Sequence, residues 1–282
     1  MKTDIILRCH NDLPLLAETL AAVSRQTAPY RLIVLDNEST DGSRETAAEY
    51  ADVLIDIPAG SYVPGRVLNQ GMGEAASEFV AFLNSDCTPV NEHWLAGLLA
   101  GFAPGVGAVF GRQSPRPDCW PLFAKDTNDT FGDGRRQAAW LHCFSMASSA
   151  IRRQVWDEMP FDPDLQYSED IDWTWRIRQQ GHEIRYVPEA EVLHSHNYTL
   201  RQFYRRQYGE GRAEARIFPW TAWDSSFLRY SCLPAIRQVL ADWKHCLPRG
   251  HLASLCHFPG LRLAQMLGRR KGFNAGRQGV NR

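Results

Sequence analysis

The strongest constraint on the fold is an alternation that runs through the first 113 residues. Short, unbroken apolar runs are each followed by a polar turn and then by helix-periodic sequence. Asp4–Cys9, Arg31–Asp36, Asp52–Ile57, Glu78–Leu83 and Gly107–Arg112 read as strands. Strands with continuous apolar runs are buried on both faces, and helices between them imply an α/β fold with a mainly parallel central sheet. Asn11 or Asp12 caps the first helix, which has Pro14 in its first turn and Leu16, Leu20 and Val23 on one face. Arg44–Tyr50, Pro64–Ala75 and His93–Phe102 supply the others, the second of these weakened by Gly71 and Gly73. Ligands of such sheets bind beyond the carboxyl ends of the strands. The residues to inspect are therefore Arg8 to Asn11, Asp36 to Asp41, Asn84 to Thr88, and Arg112 to Gln113.

Beyond residue 113 the pattern loosens. Residues 114–142 are rich in Pro, Gly, Asp and Arg and read as a long excursion. Phe144–Ile151 is a predicted strand, Ser168–Gln180 a helix stopped by Gly181, and Glu183–Val187 and Glu191–Ser195 two short strands. Leu200–Ile217 is a basic, aromatic helix. After Pro219 come amphipathic pieces broken by prolines, and Gly268–Arg282 reads as frayed.

Composition narrows the function. With 44% hydrophobic residues the chain can bury a real core, and a net charge of -1 argues against a nucleic-acid partner. Seven cysteines without a C-x-x-C pair suggest reduced thiols in the cytosol rather than a zinc site. Near the N-terminus only Ile5-Ile6-Leu7 is apolar, too short for a signal peptide, and no run approaches the roughly 20 residues of a membrane span. The expected location is cytoplasmic. Residues 221–282 hold ten Lys/Arg against two Asp. There Leu233, Ile236, Val239 and Leu240 sketch an amphipathic helix with Arg237. One reading is peripheral attachment to an anionic inner leaflet; the other is a packed appendage with a solvated basic face.

Three places carry candidate chemistry. Asp86, after the fourth strand, can hold Mg²⁺ or Mn²⁺ against two phosphates, or can cap the following helix. Glu169 and Asp170 open a helix. They either serve the helix dipole or form an acid pair, and the dipole is expected to keep Asp170 ionised. Trp173, three residues on, can share their face and offer an aromatic wall to a sugar ring. His194 and His196 end a short strand, where a structural role is as reasonable as a ligand role.

These segments, in this order, resemble the family-2 inverting glycosyltransferases of GT-A fold, the rhamnosyltransferase-like branch above all. Leu83-Asn84-Ser85-Asp86 is similar to their Asp-x-Asp region, with Asn84 in place of the first acid. Leu7-Arg8-Cys9-His10-Asn11 resembles their Pro-x-Tyr-Asn turn. Asp36-Asn37-Glu38-Ser39-Thr40-Asp41-Gly42 resembles their Asp-Asp-x-Ser-x-Asp-Gly segment, and Gly65-Arg66 and Gly111-Arg112-Gln113 resemble further family motifs. The resemblance implies a metal, Mn²⁺ or Mg²⁺, held by Asp86 and His194, with His196 as the alternative. It implies donor contacts from Arg8, His10, Asp36, Asn37, Arg66, Asn84 and Ser85, with Asp36 accepting from the base. Asp170 would be the catalytic base, Glu169 would orient the acceptor, and Gln113 would touch sugar or acceptor beside Trp173.

The implied partners are a UDP- or dTDP-linked sugar and a saccharide or lipid-linked saccharide acceptor, in bacterial surface glycan assembly. The expected division is 1–113 for the nucleotide-sugar half, 114–218 for the acceptor and catalytic half, and 219–282 for a basic helical appendage. A sugar-phosphate nucleotidyltransferase is the alternative enzyme, although Cys9-His10-Asn11-Asp12 lacks its usual glycine-rich loop. A non-catalytic sugar-nucleotide-binding module is the alternative without chemistry.

Overall fold

Eight strands form the sheet: β1 (Thr3–Cys9), β2 (Tyr30–Asp36), β3 (Val53–Asp56), β4 (Phe79–Asn84), β5 (Thr88–Pro89), β6 (Val106–Ser114), β7 (Ser148–Arg152) and β8 (Glu183–Leu193). Their order is β3-β2-β1-β4-β7-β6-β8-β5. The structure, a computed structural model, describes residues 3–135, 143–218, 227–252 and 254–280. These fall into two compact units. The first comprises residues up to Arg116, Thr127–Leu165 and Glu169–His194; the second comprises Pro117–Asp126, Gln166–Ser168 and Ser195–Arg282. The division sets the helix at Leu200–Ile217 with the chain after it, not with the catalytic half where it was expected.

In the first unit, successive residues of each central strand feed opposite cores, because side chains alternate across a sheet. Ile5, Leu7, Leu32, Val34 and Leu83 pack with helices α1 (Leu13–Val23) and α4 (Trp94–Ala100), through Leu16, Leu20, Trp94 and Leu98. Ile6, Ile33, Leu35 and Phe82 pack on the other side with α3 (Pro64–Glu74) and α7 (Glu169–Gln179), through Val67, Met72, Trp173 and Ile177. Burial of each such side chain contributes about 1.5–3 kcal/mol. The short helices α2 (Ser43–Tyr50) and α6 (Arg153–Glu158) complete the layer connections.

Topology decides which strand ends meet. β1 pairs in parallel with β2 and β4, so Arg8 lies beside Leu35 on one side and Asn84 on the other. β7 runs antiparallel between β4 and β6. Residues preceding it therefore arrive at the carboxyl end of β4, where Asn84 N donates to Ala147 O. β8 is one strand rather than the two expected. Its pairing with β6 jumps from Gly111–Val187 to Arg112–Glu191, so Pro188 and its neighbours form a bulge that the sequence shows as a break. Past the bulge, Ser114 O accepts from His194 N and β5 pairs with the end of β8, bringing Asp86 and His194 to one place.

The 114–142 stretch contains the end of β6 and helix α5 (Pro121–Thr130); residues 136–142 lie outside the described residues. In the second unit, α8 (Leu200–Ile217) begins with a capping box in which Gln202 N donates to the Thr199 hydroxyl. It packs against α10 (Ser254–Val280); residues 281–282 lie outside the described residues, and α10 runs unbroken through the expected fray from Gly268 as far as Val280. Gly268, Gly272 and Gly276 explain this. They recur every four residues, and a Cβ on them would lie 2.5, 2.0 and 2.7 Å from the carbonyl oxygens of Tyr204, Tyr208 and Arg212 on α8. Residues that weaken a lone helix here let two backbones touch. Between them in sequence lies α9 (Leu233–Cys246), tied to α10 by the buried pair Arg262–Asp242, with Nε to Oδ2 at 2.8 Å.

Candidate active site

The carboxyl edge of the first unit's sheet carries a closed circuit of polar groups. Asp86 Oδ2 lies 3.5 Å from His194 Nε2. His194 Nδ1 is 2.7 Å from Gln113 Oε1, and Gln113 Nε2 donates to Ser145 Oγ at 2.8 Å. The next residue, Met146, donates its backbone N–H to Asp170 Oδ2 at 3.1 Å. Adjacent to Asp170, Glu169 Oε1 accepts from Arg8 Nη1 at 3.1 Å, and Arg8 Nη2 donates to Asn84 Oδ1 at 3.0 Å. Asn84 returns the circuit to Asp86 two residues on. Six separate stretches of chain thus close around one site.

Each position has a local cause. Asp86 follows β4 in the turn to β5, and His194 follows β8. Arg8 is one residue from the end of β1, and its guanidinium bridges β4 and α7 with its side chain 15% exposed. Glu169 and Asp170 open α7, entered through Ser168 with φ of 60°, which turns the chain sharply into the helix. Gln113 donates through its amide nitrogen to Ser145, so its oxygen accepts from His194 Nδ1–H. That leaves Nε2 as the ring nitrogen turned toward Asp86.

Asp170 reverses an expectation. Its carboxyl is pushed up to about 7, by burial first and by the neighbouring Glu169 second; the N–H groups of Met146 and Ile171 and the charge of Arg8 oppose the shift without cancelling it. Loss of water outweighs the helix terminus expected to keep it ionised.

Four expected contacts are corrected by burial. Trp173 is 0% exposed, donates its indole N–H to Met159 O and packs on Phe161, so it is core and no wall for a sugar. Gln113 is 3% exposed, with both ends of its amide committed to His194 and Ser145; it positions the histidine rather than touching sugar or acceptor. Asp36 is 1% exposed and accepts from the Cys9 thiol and Ser39 N–H, so it shapes its own loop instead of meeting a base. Ser85 is buried too, its hydroxyl donating to Asp12 at 2.6 Å. Asn37 and His10 meet each other, the ring nitrogen Nδ1 against the Asn37 carbonyl. Arg66 stands apart, exposed and 3.6 Å from Asp164. His196 is exposed and lies in the second unit.

Arg116 was missed. Its Nη2 donates to the Asp86 carbonyl at 3.1 Å and the Thr88 hydroxyl at 2.7 Å, and its Nη1 pairs with Glu18 at 3.0 Å. It clamps the turn that presents Asp86. The only hint in sequence was an arginine between two prolines just past a strand end.

A sheet of this order, with an acid pair tied by hydrogen bonds to an aspartate–histidine pair at its carboxyl edge, has the GT-A fold of glycosyltransferases. Solved structures agree on the fold. The mannosyltransferase PcManGT of Pyrobaculum calidifontis, in complex with GDP-Man and Mn²⁺, superposes with a TM-score of 0.64 at 16% identity, covering 100% of this chain and 88% of that one. Glucosyl-3-phosphoglycerate synthase of Mycobacterium tuberculosis, with Mn²⁺, UDP-glucose and phosphoglyceric acid, gives 0.58 at 15% identity over 78% and 81%. The family model "Glycosyl transferase family 2" matches residues 4–159. The O-antigen chain rhamnosyltransferase WbaN of Salmonella anatum is 30% identical over 266 residues, 88% of this chain and 84% of the relative. RfbN of Salmonella typhimurium, another O-antigen chain rhamnosyltransferase, is 26% identical over 94% and 90%. The chain belongs to glycosyl transferase family 2 and is a glycosyltransferase; nucleotidyl transfer is not favoured.

Proposed function

We propose that this enzyme moves a sugar from a UDP- or dTDP-linked donor to a hydroxyl of a saccharide or lipid-linked saccharide acceptor, with inversion, in bacterial surface glycan assembly at the inner face of the cytoplasmic membrane. The observation that carries the reading is the circuit that joins Asp86–His194 to Glu169–Asp170. It joins, through hydrogen bonds, the two residues read as cation ligands to the residue read as base, which supports the reading. The two O-antigen rhamnosyltransferases support the choice of glycan, and they make a 6-deoxyhexose the first sugar to try.

The donor set fits a divalent cation. A carboxylate oxygen and an imidazole nitrogen lie 3.5 Å apart, and both are donor types that a divalent cation accepts. Cys87 lies in the same cluster, its thiol pushed well above the ordinary range by burial first and by Asp86 second. Asp86 and His194 would hold the ion; the nitrogen ligand favours Mn²⁺ over Mg²⁺. When bound, such an ion offsets charge on the departing diphosphate.

The chain's own groups do the rest. Asp170, fixed by two backbone N–H bonds, takes the acceptor proton as the acceptor oxygen bonds the anomeric carbon. The bond from that carbon to the donor phosphate oxygen breaks, and its electron pair leaves with the nucleoside diphosphate. Glu169, held by Arg8, orients the acceptor. The test is release of nucleoside diphosphate by the full chain with candidate sugar nucleotides, acceptor, and Mn²⁺ or Mg²⁺. Asp170→Asn should lower kcat by about 10²–10⁴ while donor binding survives. Full turnover in that variant removes Asp170 as base, and activity indifferent to chelator removes the cation.

A further inference from the structure

The helix α9 is inside out. Its inward face carries Ala235, Val239, Asp242 and Cys246, and Asp242 is 0% exposed. The aspartate is held there by Arg262, whose Nη2 and Nε donate to it at 3.0 and 2.8 Å, and by Lys125 at 3.3 Å. The outward face carries the large aliphatics: Leu233, Ile236 and Leu240 are 41, 54 and 56% exposed. At about 100° per residue these three fall within one arc of roughly 60°. Arg237 and Lys244, both exposed, flank the same arc. Burying a charge and leaving leucines in water is the reverse of a water-facing helix.

We propose that this outward face of α9 docks on an anionic lipid bilayer, with Leu233, Ile236 and Leu240 entering the acyl boundary and Arg237 and Lys244 at the headgroups. Charge selects this occupant. Between residues 227 and 280 the sole carboxylate is the buried Asp242, so the face offers cations and no exposed acid. A second copy of the chain, packed face to face, would set Arg237 and Lys244 against their own counterparts, with no exposed acid among the described residues of α9 or α10 to neutralise them. A surface rich in phosphate headgroups completes both the charge and the apolar stripe. The inference stands apart from the identity of donor and acceptor, and concerns the second unit alone.

The test uses the full chain and sedimentation with vesicles of phosphatidylglycerol and phosphatidylethanolamine, against vesicles of phosphatidylcholine. Binding to the anionic vesicles, weakened by salt, is expected. Arg237→Gln/Lys244→Gln should weaken it about 30-fold, and Ile236→Ser/Leu240→Ser about 10-fold or more. All these side chains point to solvent, and circular dichroism checks that each variant is folded. Equal binding to neutral vesicles, no binding by the wild type, or undiminished binding by both folded variants overturns the proposal. So does a concentration-dependent dimer that Ile236→Ser/Leu240→Ser abolishes while vesicle binding is absent, which would assign the face to a second copy.

Discussion

Asp170 has its carboxyl pushed up to about 7, and a base must be ionised to work. At pH 6 about one-tenth of such a group carries charge, and at pH 8 about nine-tenths. kcat/KM, which reports the free enzyme, should therefore rise about tenfold between those two pH values and level off above. Burial is the largest cause of the shift, and Glu169 the second. Glu169→Gln should then move the midpoint of the rise to lower pH. Arg8→Met removes a charge that opposes the shift and should move it upward. The same shift has a signature in stability. The folded-state value lies above the unfolded one, so the fold gains from a protonated Asp170 at low pH and loses that gain as pH climbs from about 4 to 7. Asp170→Asn, neutral throughout, should therefore be more stable than the wild type at pH 8 and show little difference at pH 4. The assays are continuous diphosphate release from pH 5.5 to 9 and melting of both proteins at the two ends. A kcat/KM that is flat between pH 6 and 8, in an enzyme inactivated by Asp170→Asn, refutes the reasoning, because the free enzyme's group would then be fully ionised despite its surroundings.

Three further outcomes follow from the packing. Gly272→Ala puts a Cβ 2.0 Å from the Tyr208 carbonyl and should destabilise the chain by about 3 kcal/mol in thermal or urea melts, whereas Gly73→Ala in α3, with nothing within 4 Å, should stabilise by about 0.5–1 kcal/mol. Gln113→Leu removes the acceptor that orients His194 and should raise the Mn²⁺ dissociation constant about 10- to 100-fold by titration calorimetry, without abolishing folding. Trp173→Phe loses one buried hydrogen bond and should lower stability by about 1–3 kcal/mol while leaving the acceptor KM unchanged; a selective rise in KM would restore the sugar-facing role that its burial denies.

The alternation of apolar strands and helices through residue 113 was legible because it is a one-dimensional signal. Continuous Ile, Leu and Val cannot face water on either side, so Ile5-Ile6-Leu7 and Leu32-Ile33-Val34-Leu35 had to lie inside a covered sheet. Parallel strands then had to present Arg8, Asp36 and Asn84 at one edge. The order of short motifs was enough to carry the family resemblance, and the family match extends over residues 4–159.

What the sequence could not decide was which of these polar groups turns outward. Asp36, Ser85, Gln113 and Trp173 have the chemistry of ligand-binding residues, and each is buried on partners 3 to 81 positions away. Helix α10 looked frayed because its glycines cost a lone helix stability; α8 offers carbonyls that only a glycine ridge can approach. Asp170 looked ionised from its place at a helix start, until burial was known. By itself the sequence determined the strands, the sheet edge and the residue types available there, since local periodicity fixes which faces must leave water. Tertiary structure decided protonation, orientation and partnership, since desolvation and hydrogen-bond commitment depend on groups that the chain brings together only by folding.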